Sequence, residues 1–127
     1  EDAFKAYQHQ ALLYHDYLRQ PRAAVKIYQR IAAEFPEPQA VAALQTAAVI
    51  ARKDLKDYEL EIELRSKIGN DFPESKVAPE EMYAVAQIYE SDLRDIARAI
   101  RAYRDVSSKF IDSKYGDKAR DRVNKLR

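Results

Sequence analysis

Two histidines are the residues in this chain best suited to acid–base or metal chemistry. His9 and His15 are its only histidines, and it has no cysteine. Six residues apart on a helix, their side chains point about 240° apart, so they cannot share a metal ion as an i, i+4 pair does. We predict no catalytic residue, no metal site and no cofactor, and we interpret both histidines as solvated or facing a partner. The enzymatic alternative would use His9, His15, Asp16 or Glu90 in a closed pocket.

The composition gives no general attraction to nucleic acid or anionic membranes. The chain has 22 basic and 21 acidic residues, so its net charge is too small to attract polyanions at long range. Its apolar runs, such as 47–51, are far shorter than the ~20 residues that cross a bilayer, and no transmembrane segment is expected. The absence of cysteine excludes disulfides and thiolate metal sites. Abundant Ala, Leu, Glu, Lys, Arg and Gln favour helices.

The last segment, 114–127, has a local excess of positive charge, with six basic and two acidic side chains. It could bind nucleic acid or anionic lipid. It could also be the polar helix that caps a repeat array, with Ala119, Val123 and Leu126 facing inward. We favour the cap, and we keep binding to nucleic acid or to an anionic membrane surface as the alternative function.

An internal repeat organises the chain. Phe35-Pro36-Glu37 recurs as Phe72-Pro73-Glu74 and then as Phe110-Ile111-Asp112, at offsets of 37 and 38 residues. The same offsets align apolar positions throughout. Examples are Tyr7/Leu44/Met82, Ala11/Ala48/Ala86, Leu13/Ile50/Ile88, Leu18/Leu55/Leu93 and Ile31/Ile68/Val106. We infer three equivalent units, with the one extra residue in the loop between 73 and 82.

Apolar residues within each unit recur at helical spacing, which predicts an all-α protein. We predict helices over 3–18, 22–34, 39–53, 57–70, 79–91, 95–109 and 114–126. The segment 58–64 alternates with period two, as a strand does, but the repeat register makes it helical. Asp57 and Asp95 stand where an N-cap carboxylate would bind free backbone N–H groups. The Phe-Pro dipeptides end the helices before them.

The aligned positions resemble the tetratricopeptide repeat. That family places small residues where the two helices of a unit touch, an aromatic late in the first helix, Ala and then an aromatic in the second, and a closing Pro. The matching residues are Ala11, Tyr14, Ala24, Tyr28 and Pro36 in unit one, and Ala86, Tyr89, Ala99 and Tyr103 in unit three. Unit two departs from the pattern at Ala51, Glu61 and Arg65, and unit three has Ile111 in place of Pro.

The resemblance implies one domain over 1–127, a right-handed superhelical α-solenoid of three helix–turn–helix repeats with a capping helix. The repeats would span about 3–36, 39–73 and 79–112, and the cap about 114–127. Members of the family bind an extended peptide or helix in the concave groove lined by their first helices. Carried over, the groove residues are Lys5, Gln8, His9, Leu12, His15, Asp16, Gln45, Thr46, Val49, Arg52, Lys53, Tyr83, Gln87 and Glu90.

The implied function is a non-catalytic scaffold or adaptor for another protein, with no small-molecule substrate. Only Arg52 and Lys53 could bind a partner's terminal carboxylate, so we expect no carboxylate clamp. Tyr83 is the expected aromatic anchor, with core packing or a surface without function as the alternatives. Self-association through the first helix, at Ala3 and Phe4, is a further alternative.

The residues Phe72-Pro73-Glu74-Ser75-Lys76 are similar to helix endings in repeat domains of bacterial cell-envelope lipoproteins and Tol–Pal-associated proteins. This similarity implies a bacterial adaptor, located in the periplasm or associated with the cell envelope. The chain begins at Glu1 without Met, and we expect it to be a segment of a longer or processed protein.

Overall fold

The computed structural model describes residues 2–127, and these residues form helices and no strand. The all-α prediction is confirmed, including the period-two segment, which is helical. The helices are α1 (Asp2–Leu12), α2 (Pro21–Glu34), α3 (Gln39–Lys53), α4 (Tyr58–Asp71), α5 (Ala78–Gln87), α6 (Ile96–Lys109) and α7 (Lys114–Leu126). A wider π-helical turn extends α1 over Leu13–Tyr17 and α5 over Ile88–Asp92. With these turns included, every predicted boundary is correct to within one residue.

The helices pack as two compact units, one of residues up to Leu64 and one of Arg65–Arg127. In the first unit, α1 packs on α2, and α2 packs on α3. In the second unit, α5 packs on α6, and α7 packs on both α5 and α6. No helix in the described part of the chain is apolar and long enough to cross a bilayer, in agreement with the sequence.

Alanine forms much of the first core and larger side chains complete the second. The fully buried alanines of the first unit are Ala11, Ala24, Ala40, Ala47, Ala48 and Ala51. Such small side chains let helices approach closely, and Tyr28, Ile31 and Leu44 fill the remaining space. The second core comprises Ala86, Ala99, Tyr103, Val106, Ala119 and Val123, with Leu126 packed against it. The inner face predicted for α7 is therefore confirmed.

The turn after α1 recurs twice with the same backbone geometry. Arg19, Lys56 and Arg94 have φ angles of 53°, 52° and 53°, in the left-handed region, and are spaced by the offsets of the sequence repeat. Before each, a backbone N–H donates to the carbonyl five residues earlier. The pairs are Leu18 to Leu13 (2.9 Å), Leu55 to Ile50 (3.2 Å) and Leu93 to Ile88 (3.0 Å). A left-handed residue here ends the helix, and its positive charge suits the negative helix end.

The helices begin and end at the residues that the sequence indicates. The Asp57 carboxylate accepts from the Leu60 N–H at 3.0 Å, and that of Asp95 accepts from the Arg98 N–H at 3.1 Å. Prolines occupy the first turns of α2 and α5. Phe35 ends α2 with extended backbone, at φ −121° and ψ 153°, because Pro36 follows it.

Candidate functional site

Two of the predicted groove residues meet around a small cavity of the first unit. Gln8 of α1 and Thr46 of α3 line a space of about 80 Å³ between α1, α2 and α3. The other lining residues are Phe4, Tyr28, Ile31, Gln39, Ala42 and Ala43. Tyr28 and Ile31 are buried and form an apolar floor, whereas Gln8, Ala42 and Thr46 are exposed at its edge. The cavity can take a small aliphatic group beside polar side chains.

His15 and Asp16 lie at the other end of α1, around a larger cavity of about 460 Å³ that Arg19, Pro21 and Asp54 complete. The His15 ring contacts two carboxylates, with Nδ1 2.9 Å from Asp16 Oδ1 and Nε2 2.6 Å from Asp54 Oδ2. The protonated ring donates to both. These hydrogen bonds, above all the one with Asp54, raise the pKa of His15. Nothing in the sequence pairs His15 with Asp54, which is 39 residues away.

The other predicted residues of α1 are exposed. Lys5 and His9 point away from the core, and Leu12 is 46% exposed. The part of the chain that the structure describes holds no group of three or more His, Asp or Glu side chains that could hold a metal ion. The other accessible candidates on α1 are therefore two polar side chains and one apolar side chain, Leu12.

On α3, Arg52 is held by an internal carboxylate. Its Nε donates to both Glu61 oxygens, at 2.9 and 3.1 Å, and its guanidinium lies 5.1 Å from the centre of the Tyr58 ring. Glu61 is 1% exposed, so Arg52 neutralises a buried charge. The remaining candidates on this helix lie nearer to solvent. Val49 and Lys53 are exposed, and Gln45 is half-buried.

The residues of α4 that depart from the tetratricopeptide pattern belong to buried ion pairs. Glu61 stands where the other units have Ala24 and Ala99, and it binds Arg52 within the first unit. Arg65 belongs to the second unit, where its Nη1 donates to Glu81 Oε1 at 2.7 Å, and Glu81 is 6% exposed. The departures are therefore compensated pairs of charges.

In the second unit, Tyr83 is part of an aromatic cluster. Its ring is edge-on to Tyr103, with centroids 5.4 Å apart, and tilted against Tyr115 at 5.5 Å. Tyr83 is half-buried against the second core. Burial raises the pKa of its hydroxyl. The side chain predicted as an anchor thus makes substantial internal contacts.

Glu90 lies beside this cluster and is also held internally. It accepts from the Tyr103 hydroxyl at 2.7 Å, and both its oxygens bind the Arg122 guanidinium. The hydrogen bond from Arg122 is the main cause of the lowered pKa of Glu90. Burial, and then the bond to Glu90, raise the pKa of Tyr103. Gln87, the third candidate of this unit, is exposed.

The basic side chains of α7 make several contacts within the second unit. Arg120 pairs with Asp117 at 3.1 Å, and Arg122 pairs with Glu90. Lys114 and Lys118 lie 5.3 and 5.4 Å from the centre of the Tyr115 ring. Several of the positive charges of this helix therefore take part in intramolecular contacts.

The predicted groove residues consequently fall into three groups. Gln8, Thr46, His15 and Asp16 surround cavities of the first unit. Arg52, Tyr83 and Glu90 are held by internal ion pairs or aromatic contacts, as described above, and the others lie on accessible surface. Comparisons with known protein families, with characterised proteins and with solved structures find no match to this chain.

Proposed function

We propose that this chain is a non-catalytic, tetratricopeptide-like interaction module that binds a peptide or helix of another protein along α1 and α3. The observation that carries the proposal is the cavity that Gln8 and Thr46 line together, with Tyr28 and Ile31 as its apolar floor. The recurrence of the left-handed turn at Arg19, Lys56 and Arg94 supports assignment to helical repeats. A superhelical solenoid with a concave groove, and a periplasmic or envelope-associated location, belong to the same proposal.

The partner would insert an aliphatic side chain into this cavity. A space of about 80 Å³ suits a small aliphatic group, and burial of such a group contributes roughly 1.5–3 kcal/mol. Gln8, Gln39 and Thr46 line the same space and can bind the polar backbone of the partner. The exposed side chains of Lys5 and His9 on α1 would contact its flanking residues.

Binding of nucleic acid or an anionic membrane surface through α7 is the alternative, and it has less support. The Arg122 guanidinium is paired with Glu90, and Arg120 is paired with Asp117. Ala119 and Val123 face the second core, as they would in a polar capping helix. The same helix is therefore explained by its structural role.

A selection from a library of short displayed peptides tests the proposal. Thr46→Arg would block the cavity. The hydrogen bond that this substitution removes lies within α3, from the Thr46 hydroxyl to the Ala42 carbonyl at 3.0 Å. We expect selected peptides to bind this variant at least about tenfold more weakly than the wild type. Asn124→Arg, at an exposed position of α7, is the matched control and should bind normally. Failure to enrich any peptide, or equal binding by Thr46→Arg, would overturn the proposal.

A further inference from the structure

An exposed apolar face lies along α1 and the π turn that follows it. Leu13 is 37% exposed, Tyr17 is 78% exposed and Leu18 is 55% exposed. Across residues 2–127, seven large hydrophobic side chains are exposed, and these three are among them. This concentration distinguishes the surface from the isolated apolar side chains that any protein exposes.

In α3 and α7, the residues equivalent to this face are buried or half-buried. In α1 and the first residue of its π turn, the face consists of Ala3, Ala6, Gln10 and Leu13, all of which are exposed. The equivalent residues of α3 are Ala40, Ala43, Ala47 and Ile50, with exposures of 0, 5, 0 and 4%. In α7 they are Gly116, Ala119, Val123 and Leu126, which are buried or half-buried. Because α2 packs on α3 and α6 packs on α7, these positions form a face for helix packing.

We propose that two copies of this chain associate through this face, with the two α1 helices antiparallel about a twofold axis at Gln10. In this arrangement, Leu13 of one copy lies over Ala6 of the second, and Tyr17 lies over Ala3. Large side chains therefore meet small ones, as close helix packing requires. The two Gln10 amides meet at the axis, where each can donate to the other.

The charges beside the face favour the antiparallel arrangement. Lys5 lies five residues before Gln10, and Asp16 lies six residues after it. The axis places each Lys5 next to Asp16 of the second copy, whereas a parallel pair would place Lys5 beside Lys5. Exposed ion pairs contribute little affinity but do select the orientation of a complex.

Two repeat positions of α7 are polar, which favours a closed pair over an open array. On α7, the positions equivalent to Met82 and Ala86 are occupied by Arg120 and Asn124, both exposed. These side chains cannot supply an apolar surface for α1 of another copy. An interface of α1 with itself closes after two copies. The inference does not depend on the proposed function, because the groove experiment changes Thr46 of α3, which does not belong to this face.

Cysteine crosslinking tests the twofold axis directly, because the chain has no cysteine of its own. Gln10→Cys places the two thiols at the axis, and we expect a disulfide-linked dimer under mild oxidation. Lys26→Cys, at an exposed position of α2, is the control and should remain largely uncrosslinked. Equal crosslinking of the two variants would overturn the arrangement.

Sedimentation equilibrium tests the association itself. We expect the wild-type protein to dimerise with a dissociation constant below about 100 μM. Leu13→Glu should raise that dissociation constant at least about tenfold. Ile111→Glu changes a side chain that is 60% exposed and far along the sequence, and it should dimerise normally. Circular dichroism checks that each variant is folded. A monomeric wild type, or unchanged dimerisation of folded Leu13→Glu, would overturn the proposal; if that variant unfolds, the crosslinking result decides.

Discussion

Glu61 is a charged residue at a position where the other two units have alanine. Its carboxylate is almost completely buried, and Nε of Arg52 on α3 donates to both of its oxygens. A buried charge is costly unless it is paired and hydrogen-bonded. The identity of residue 61 therefore depends on the identity of residue 52, which the tetratricopeptide resemblance implied to be a partner-binding residue.

Removing the Arg52 charge should destabilise the protein more than removing the Glu61 carboxylate. Arg52→Met keeps an aliphatic side chain but removes the charge that neutralises buried Glu61, and we expect a loss of about 2–3 kcal/mol in the free energy of unfolding. Glu61→Ala should cost less, because Arg52, with a side chain that is 37% exposed, can turn to water. Urea unfolding followed by circular dichroism measures both. A larger loss for Glu61→Ala would contradict this account.

His15 should make stability depend on pH. Its folded-state pKa is raised, chiefly by Asp54, so the stabilisation is fully present below the ordinary value of 6.5 and is lost as the pH rises through the raised value. The side chain is 35% exposed, which keeps the effect below about 1 kcal/mol.

The measurement is the difference in Tm between wild type and His15→Gln at about pH 5.5 and about pH 8.5. We expect a larger difference at the lower pH. Asp54→Asn removes the main acceptor and should reduce the pH dependence in the same way. A difference that grows with rising pH would contradict the assigned contacts.

The helices themselves follow from local signals. Asp57 and Asp95 cap α4 and α6, and proline stands in the first turns of α2 and α5. Such signals act over a few residues, which is why the boundaries could be predicted from the sequence. The π turns after α1 and α5 could not be predicted, because they depend on a hydrogen bond to the carbonyl five residues earlier that competes with the ordinary helical bond.

Gly116 allows α7 to begin close to the preceding loop. A Cβ atom at this position would lie 2.3 Å from the Phe110 carbonyl oxygen, and a backbone atom cannot easily move. We expect Gly116→Ala to cost on the order of 2 kcal/mol, although alanine is the better helix former by about 1 kcal/mol. Asn124→Ala, exposed in the same helix, should be neutral or slightly stabilising. Thermal unfolding measures both, and a stabilising effect of Gly116→Ala would contradict the packing described.

The whole chain is nearly neutral, with a formal charge of +1 at pH 7. Specific binding to nucleic acid normally draws on a clear excess of positive charge that neutralises phosphates. The described contacts of Arg120 and Arg122 with acidic side chains reduce that excess further.

We therefore expect no saturable binding to duplex DNA, RNA or anionic vesicles at about 0.15 M salt, and only weak, strongly salt-dependent binding below it. Fluorescence anisotropy and vesicle sedimentation measure this. Lys118→Glu with Lys125→Glu reverses exposed charges on α7 and should leave any peptide binding unchanged. Submicromolar binding by the wild type that this double variant abolishes would establish the alternative function.

The amino-acid sequence by itself determined the seven helices, their ends and the register that relates them, because periodicity, caps and prolines act between neighbouring residues. Tertiary structure decided which side chains meet. His15 finds Asp54 and Glu90 finds Arg122 across 39 and 32 residues, and local patterns carry no information over such separations. Packing likewise brought Gln8 and Thr46 to one cavity and gave Arg52, Tyr83 and Glu90 internal contacts.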